Sequence, residues 1–140
     1  MYNDTVTVFN RRGDFWYPTV LRGVHLVIGR NTTAARYGWD SDIQAALLVP
    51  VDGDGLVGGK EYVPPKAWRE VPDPESFVTF QTGEEHDFFI MGRWEILCPV
   101  DEGEYPGGFY QSLRRTRDGV FAIANLTRYR VIPHFEIVGR

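Results

Sequence analysis

The chain has 140 residues with 43% hydrophobic and 14% aromatic content, which excludes a disordered tail and fits one domain with its own core. Its single cysteine, Cys98, excludes an internal disulfide and argues against a disulfide-stapled secreted module. The net charge of −4 makes sequence-specific nucleic-acid binding an unexpected default.

In chain order, Thr5 to Asn10 alternates in the strand manner, with Val6 and Val8 on one face. Arg11 to Asp14 reads as a turn, and Phe15 to Leu21 as a second strand whose Pro18 suggests an edge or a bulge. The two make an opening hairpin. Arg22-Gly23 breaks the run and Val24 to Ile28 resumes it, with His25 as an ordinary strand residue opposite Val24 and Leu26. Asn31 to Gly38 predicts one or two helical turns, with Asn31 or Thr32 as cap and Gly38 as terminator. Trp39 to Asp42 is a polar link. Ile43 to Val49 predicts a strand, with helix as the alternative because Gln, Ala and Leu are good helix formers.

Asp52 to Lys60 is rich in glycine and is either a hairpin tip or a mobile loop. The paired Pro64 and Pro65 predict an extended course from Glu61 to Trp68. Asp73-Pro74-Glu75 is a turn, Ser76 to Thr82 a strand, Gly83 to Asp87 an acidic turn and Phe88 to Trp94 another strand. Cys98 follows Ile96-Leu97, a context that predicts a small buried hydrophobe. Pro99 to Gly108 reads as a loop. Phe109 to Arg117 is the best helix: Phe109 and Leu113 share a face, and Arg114, Arg115 and Arg117 fall where the dipole favours positive charge. Asp118-Gly119 opens a closing strand block to Gly139, interrupted by Pro133. The expected fold is mainly β: a compact antiparallel barrel or sandwich of six to eight short strands with one or two short helices, in a single domain over residues 1–140.

Charge is unevenly placed. Residues 1–39 carry five Arg against two Asp, residues 40–104 fifteen acidic groups against four basic, and residues 105–140 six Arg against two acids. Acidic middle and basic ends suit self-association between unlike patches of neighbouring copies, or equally a solvated surface with internal ion pairs. No basic region followed by an apolar run marks a signal peptide at the N-terminus, and no apolar stretch approaches the roughly 20 residues that span a bilayer. Folding in a cytoplasm, without membrane contact, is the expectation.

Chemistry-bearing motifs fail on their own physics. Gly53-Asp54-Gly55-Leu56-Val57-Gly58 matches a dinucleotide pattern, but Tyr62 to Pro65 follows where a phosphate-binding helix is required. Asp52 and Asp54 suggest a calcium loop, but Val63 stands where a bidentate Glu is needed. His86 sits among Glu84, Glu85 and Asp87 without a neighbouring ligand, unless folding unites it with His25 and His134. No nucleophile motif is present. No cofactor or metal and no catalytic residue is therefore expected. Arg114, Arg115, Arg117, Arg128 and Arg130 offer a basic strip for DNA backbone or an acidic partner surface.

Several phrases resemble a family of short proteins encoded among the structural genes of phages and prophages of Gram-positive bacteria. They are Met1 to Asn10, Trp16 to Leu21, Tyr62 to Trp68, Gly108-Phe109-Tyr110, Asp118 to Ile123 and Val131 to Ile137, so the likeness spans nearly the whole chain. The order of parts is similar to tailed-phage head–tail joining (head-completion or stopper) proteins, with a V-T-V-like first strand and a closing D-G-x-x-x-I phrase at Asp118, Gly119 and Ile123. Pro99 to Arg117 has no counterpart in them. The resemblance implies a small β-barrel without enzymatic activity, a virion component assembled in the host cytoplasm as a homo-oligomeric ring. Its partners would be portal or adaptor above, tail proteins below and genomic DNA passing without sequence specificity. Tail-completion or minor capsid protein, or a small β-barrel ligand-binding module or enzyme, are the alternatives. In the ring reading, Asp52, Gly53, Asp54, Gly55 and Lys60 form a channel or partner loop, and Arg114, Arg115 and Arg117 dock a subunit or partner.

Overall fold

The computed structural model describes residues 3–29 and 44–140. The helical turns expected over Asn31 to Gly38, the link that follows and Ile43 lie outside the described residues. Strand β1 (Asp4–Arg12) and β2 (Phe15–Ile28) form the expected opening hairpin. Arg12 pairs with Phe15, so Arg11 and Arg12 belong to the strand and not to the turn; Gly13, at φ 62°, makes the reversal with Asp14. The expected break at Arg22-Gly23 is a bulge within one continuous strand. Thr5 pairs with Arg22 and Asp4 with Val24, which leaves Gly23 as the extra residue at φ 67°. That bend lets β2 pair with β1 over its first part and with β3 (Ala45–Pro50) over His25 to Ile28.

The remaining strands are β4 (Leu56–Val57), β5 (Lys60–Tyr62), β6 (Phe77–Val78), β7 (Phe88–Met91), β8 (Val100–Asp101), β9 (Val120–Tyr129) and β10 (His134–Gly139). Among the described residues six strands, in the order β1-β7-β9-β10-β3-β2, close on themselves through the β1–β2 pairing, and every pair is antiparallel. The fold is a barrel and not a sandwich. Strand β8 adds to the outer half of β2 at Phe15 and Trp16. Strands β4, β5 and β6 make a separate small sheet in which β5 and β6 run parallel.

Apolar side chains collect in two layers. Val6, Val8, Leu21, Leu47, Val49, Phe89, Phe121, Ile123, Phe135 and Ile137 form the barrel core, joined by Val57, Val78 and Phe80 from the small sheet and its continuation. Phe9, Trp16, Phe88, Ile90 and Val120 face the other way, onto Phe109 and Leu113 of helix α2 (Phe109–Thr116). Strands covered on both faces carry unbroken apolar runs, which is why Phe88 to Met91 and Val120 to Ile123 show no alternation. The second layer is aromatic: Phe9 stacks on Phe88 at 4.9 Å between ring centres and meets Phe109 edge-on at 5.1 Å.

Helix α2 starts at Gly108, which has no side chain to cap it. Glu102 does so from outside: its Oε1 accepts from Phe109 N at 2.7 Å and from the Trp16 indole at 3.1 Å, and its Oε2 pairs with Arg11 at 3.1 Å. One carboxylate thus ties the inserted region to the first hairpin.

Five further expectations change. Pro65 does not continue an extended run; it opens helix α1 (Pro65–Trp68), because the first helical position needs no N–H and welcomes a fixed φ. Of Ser76 to Thr82 only Phe77 and Val78 pair as strand, since the backbone beyond them is bonded by buried side chains instead: Asn10 accepts from Thr79 N and Asp87 from Gln81 N. The strand from Phe88 ends at Met91, where Gly92 at φ 84° turns the chain away. Cys98 is exposed, with Ile96 and Leu97 beside it; past Gly92 the run is a loop, and Trp94 is the side chain that turns inward, against Phe9 and Phe109. The expected loop Pro99 to Gly108 holds β8 and a 3-10 turn, Glu102–Glu104.

Candidate functional site

Strand β3 ends where two projecting features meet. His134 pairs with both Pro50 and Tyr129, and Val51 N donates to Pro133 O at 3.1 Å, so the β9–β10 turn and the Asp52 turn share one end of the barrel. The Asp52 turn is ordered by its own carboxylate: Oδ1 accepts from Asp54 N and Leu56 N, both at 2.9 Å. Asp54 is exposed beside it. Of the two readings of Asp52 to Lys60, the hairpin is the observed one: Gly58 and Gly59, at φ 60° and 77°, connect β4 to β5. Gly58 lies so close to β2 that a Cβ there would stand 2.6 Å from Leu21 Cδ2.

Lys60 does not share the exposed face of Asp52 and Asp54. Its Nζ folds back on β2, donating to Thr19 Oγ1 at 2.9 Å and Pro18 O at 3.2 Å. Burial lowers its pKa, against the opposing pull of Glu75 and Asp73.

The β9–β10 turn exposes apolar side chains that sequence reasoning passed over. Val131 is 98% and Ile132 76% exposed. Contacts among the flanking strand residues brace its base. Tyr129 stacks on His134 at 4.6 Å and 8° between planes, and Arg128 lies over the rings of Phe135 and Tyr62. Arg130 is exposed next to Val131. The signal available in sequence was Arg130-Val131-Ile132-Pro133, an apolar pair placed where a proline stops the ladder.

The three helix arginines do not form one surface. Arg114 Nη1 donates to Tyr110 Oη at 2.6 Å and to Arg140 O at 2.8 Å, tying α2 to the end of β10. Arg117 lies over the Trp94 ring on the other side of the helix end, and Arg115 is exposed near Gly107.

A cleft of about 600 Å³ opens beside Arg114, lined also by Gln44, Glu84, His86, Tyr110 and Ile123. His86 meets the Tyr110 ring edge-on at 4.9 Å and holds the Asp87 carbonyl through Nδ1 at 3.0 Å. His25 sits on β2 opposite Leu48 and His134 at the far hairpin, so the three histidines stay on separate elements. Among the described residues no three of His, Cys, Asp and Glu gather as a metal-holding group.

Asp87, expected in an acidic surface turn, is instead fully buried and forms the polar centre of the fold. Its Oδ1 accepts from Arg11 N and Gln81 Nε2, and its Oδ2 from Asn10 Nδ2 and Gln81 N, all between 2.8 and 2.9 Å. Burial pushes its pKa up to about 7, opposed by these donated hydrogen bonds. Over this network lies a second cleft, about 440 Å³, rimmed by Arg11, Arg12, Arg69 and Glu85. Arg12 is committed to the carbonyls of Trp68 and Val71, Arg69 to Gln81 and Arg11 to Glu102.

A family model described as Family of unknown function (DUF6751) matches residues 1–140. Neither a curated protein nor a solved structure matches the chain.

Proposed function

The chain belongs to that family of unknown function, and on that premise we propose that it is a non-enzymatic virion component of a tailed phage or prophage, a head-completion subunit that joins portal to tail. The observation that carries the reading is the β9–β10 turn, braced at its base by Tyr129 and His134, which leaves Val131 and Ile132 in solvent. Neighbouring apolar side chains displayed at the tip of a turn suit contact with another protein surface. The small closed barrel and the closing phrase Asp118, Gly119, Ile123 agree with the resemblance to joining proteins.

In this reading copies of the chain form a ring in the particle, assembled in the host cytoplasm. Asp52 and Asp54 face the passing DNA and repel its phosphates. Arg115 and Arg117 are open to an acidic neighbour, whereas Arg114 serves α2 itself. Tail-completion or minor capsid protein would use the same surfaces. Small-molecule binding is the second reading, favoured by the cleft that gathers Glu84, His86, Tyr110 and Arg114.

The test is deletion of the gene from an inducible lysogen followed by electron microscopy and mass spectrometry of the released particles. The expected result is DNA-filled heads separate from tails, with joining restored by the gene supplied in trans. Joined, infectious particles that lack the chain would overturn the proposal.

A further inference from the structure

We infer that the cleft over the Asp87 network binds a phosphate group, free or carried by a small molecule, between the guanidinium groups of Arg12 and Arg69. Neither a ring nor a particle is required for it. The cleft, about 440 Å³, is lined by Arg11, Arg12, Gly13, Arg69, Gln81 and Glu85. That volume falls within the roughly 300–1,000 Å³ of small-molecule sites.

Two separate chain segments bring the cations together. Arg12 ends β1, and Arg69 follows α1 directly. Arg12 Nη1 donates to Trp68 O at 3.3 Å and to Val71 O at 2.7 Å, which seats its guanidinium at the end of α1, in the stretch that carries Arg69. Arg69 Nε donates to Gln81 Oε1 at 3.0 Å. Each guanidinium is thus positioned through one nitrogen. Each keeps a two-donor edge without an acceptor among the described residues: Nε with Nη2 on Arg12, and Nη1 with Nη2 on Arg69. Such planar edges match the oxygens of a phosphate, which accept in pairs.

The surrounding carboxylates leave both cations uncompensated. Among the described residues neither Arg12 nor Arg69 forms an ion pair. Arg11 belongs to the lining, but its guanidinium is turned to Glu102 at 3.1 Å and lies over Trp16. Asp87 is bonded to Gln81 beneath the cleft, and four donors already fill its two oxygens. Asp14 and Glu70, next in the chain to Gly13 and Arg69, do not line the cleft. Glu85 is the carboxylate of the lining; it is exposed and pairs with neither arginine. Two positioned like charges repel each other, and an anion between them turns that repulsion into attraction. Glu85 opposes the same anion, so its removal has a predictable sign. Gln81 reports on the site: its Oε1 accepts from Arg69, and its Nε2 donates to Asp87 Oδ1 at 2.8 Å and to Arg11 O at 2.9 Å.

The test is a magnetic-resonance titration of the isotope-labelled full chain at constant ionic strength, with inorganic phosphate and phenyl phosphate as separate probes. Both should shift the Gln81 side-chain amide and the Nε–H signals of Arg12 and Arg69 to saturation, and sodium chloride should not. Arg69→Gln should weaken binding about tenfold or more. Glu85→Gln should tighten it about two- to fivefold, which keeps the inference testable even if Arg69→Gln alters the fold. Arg22→Gln removes an exposed charge outside the lining and should change nothing. Equal affinity for the two probes would assign the phosphate group alone, and tighter phenyl phosphate the group with its attached body. Shifts that never saturate, equal weakening by Arg22→Gln, or no gain from Glu85→Gln would each overturn the inference. Duplex DNA held through Arg69 while both small probes fail would overturn it as well, and would give the cleft to a polynucleotide.

Discussion

Asp87 and Asn10 are 77 positions apart in sequence and 2.8 Å apart in the fold, with neither exposed to solvent. Asn10 bridges further, donating to Thr79 O and accepting from Thr79 N, so two side chains stand in for a ladder between β1 and the segment after β6. Asp87→Ala would leave the N–H groups of Arg11 and Gln81 without their acceptor and would remove one partner from each amide side chain. The expected cost is about 3 kcal/mol of unfolding free energy, measured by urea denaturation. A loss under about 0.5 kcal/mol would show that the network is replaceable by water.

The same carboxyl predicts a pH dependence. Its folded pKa, pushed up to about 7 by burial, stands above the ordinary aspartate value of 3.8 that holds in the unfolded chain. Between those values the folded state holds a proton that the unfolded state has released. Stability from this group is therefore full below about pH 4, falls as pH rises through the window and is flat above about 7. Urea midpoints of the wild type should decline across that range, and Asp87→Asn, which does not titrate, should remove this part of the decline whatever its overall stability. A rise across the window would mean that the four donated hydrogen bonds outweigh burial.

Local physics made much of the barrel legible. Val6 and Val8 alternate because β1 has one face in the barrel core, and Gly13, Gly59 and Gly119 stand where positive φ is required. Phe109 and Leu113 revealed the buried face of α2 through their spacing alone. What escaped depended on distant partners. Nothing near Asp87 distinguishes it from exposed Glu84 and Glu85; its donors come from β1 and from Gln81. Cys98 reads as core because Ile96 and Leu97 precede it, yet Gly92 had already taken the chain off the sheet. Of the residues singled out, Arg114 for docking and Lys60 for the channel or partner loop are drawn into internal hydrogen bonds by carbonyls that sequence neighbours do not supply.

That difference separates Arg114 from Arg115. Arg114 Nη1 bonds Tyr110 Oη and Arg140 O, with Val120 O at 3.4 Å, so one guanidinium fastens α2 to β9 and β10. Its removal leaves carbonyls short of a donor and loosens the helix whose Phe109 and Leu113 cover the aromatic layer. Arg114→Ala should cost about 1–2 kcal/mol by thermal or urea unfolding, more than a surface charge ordinarily contributes. Arg115→Ala should stay within about 0.5 kcal/mol of wild type, as an exposed helix position does. In an induced lysogen the order should invert for assembly at limited expression: Arg115→Ala, although stable, should reduce head–tail joining if that arginine meets an acidic neighbour. Equal destabilisation by both changes would place Arg115 in the fold's own support, and undiminished joining with Arg115→Ala would remove it from the docking surface.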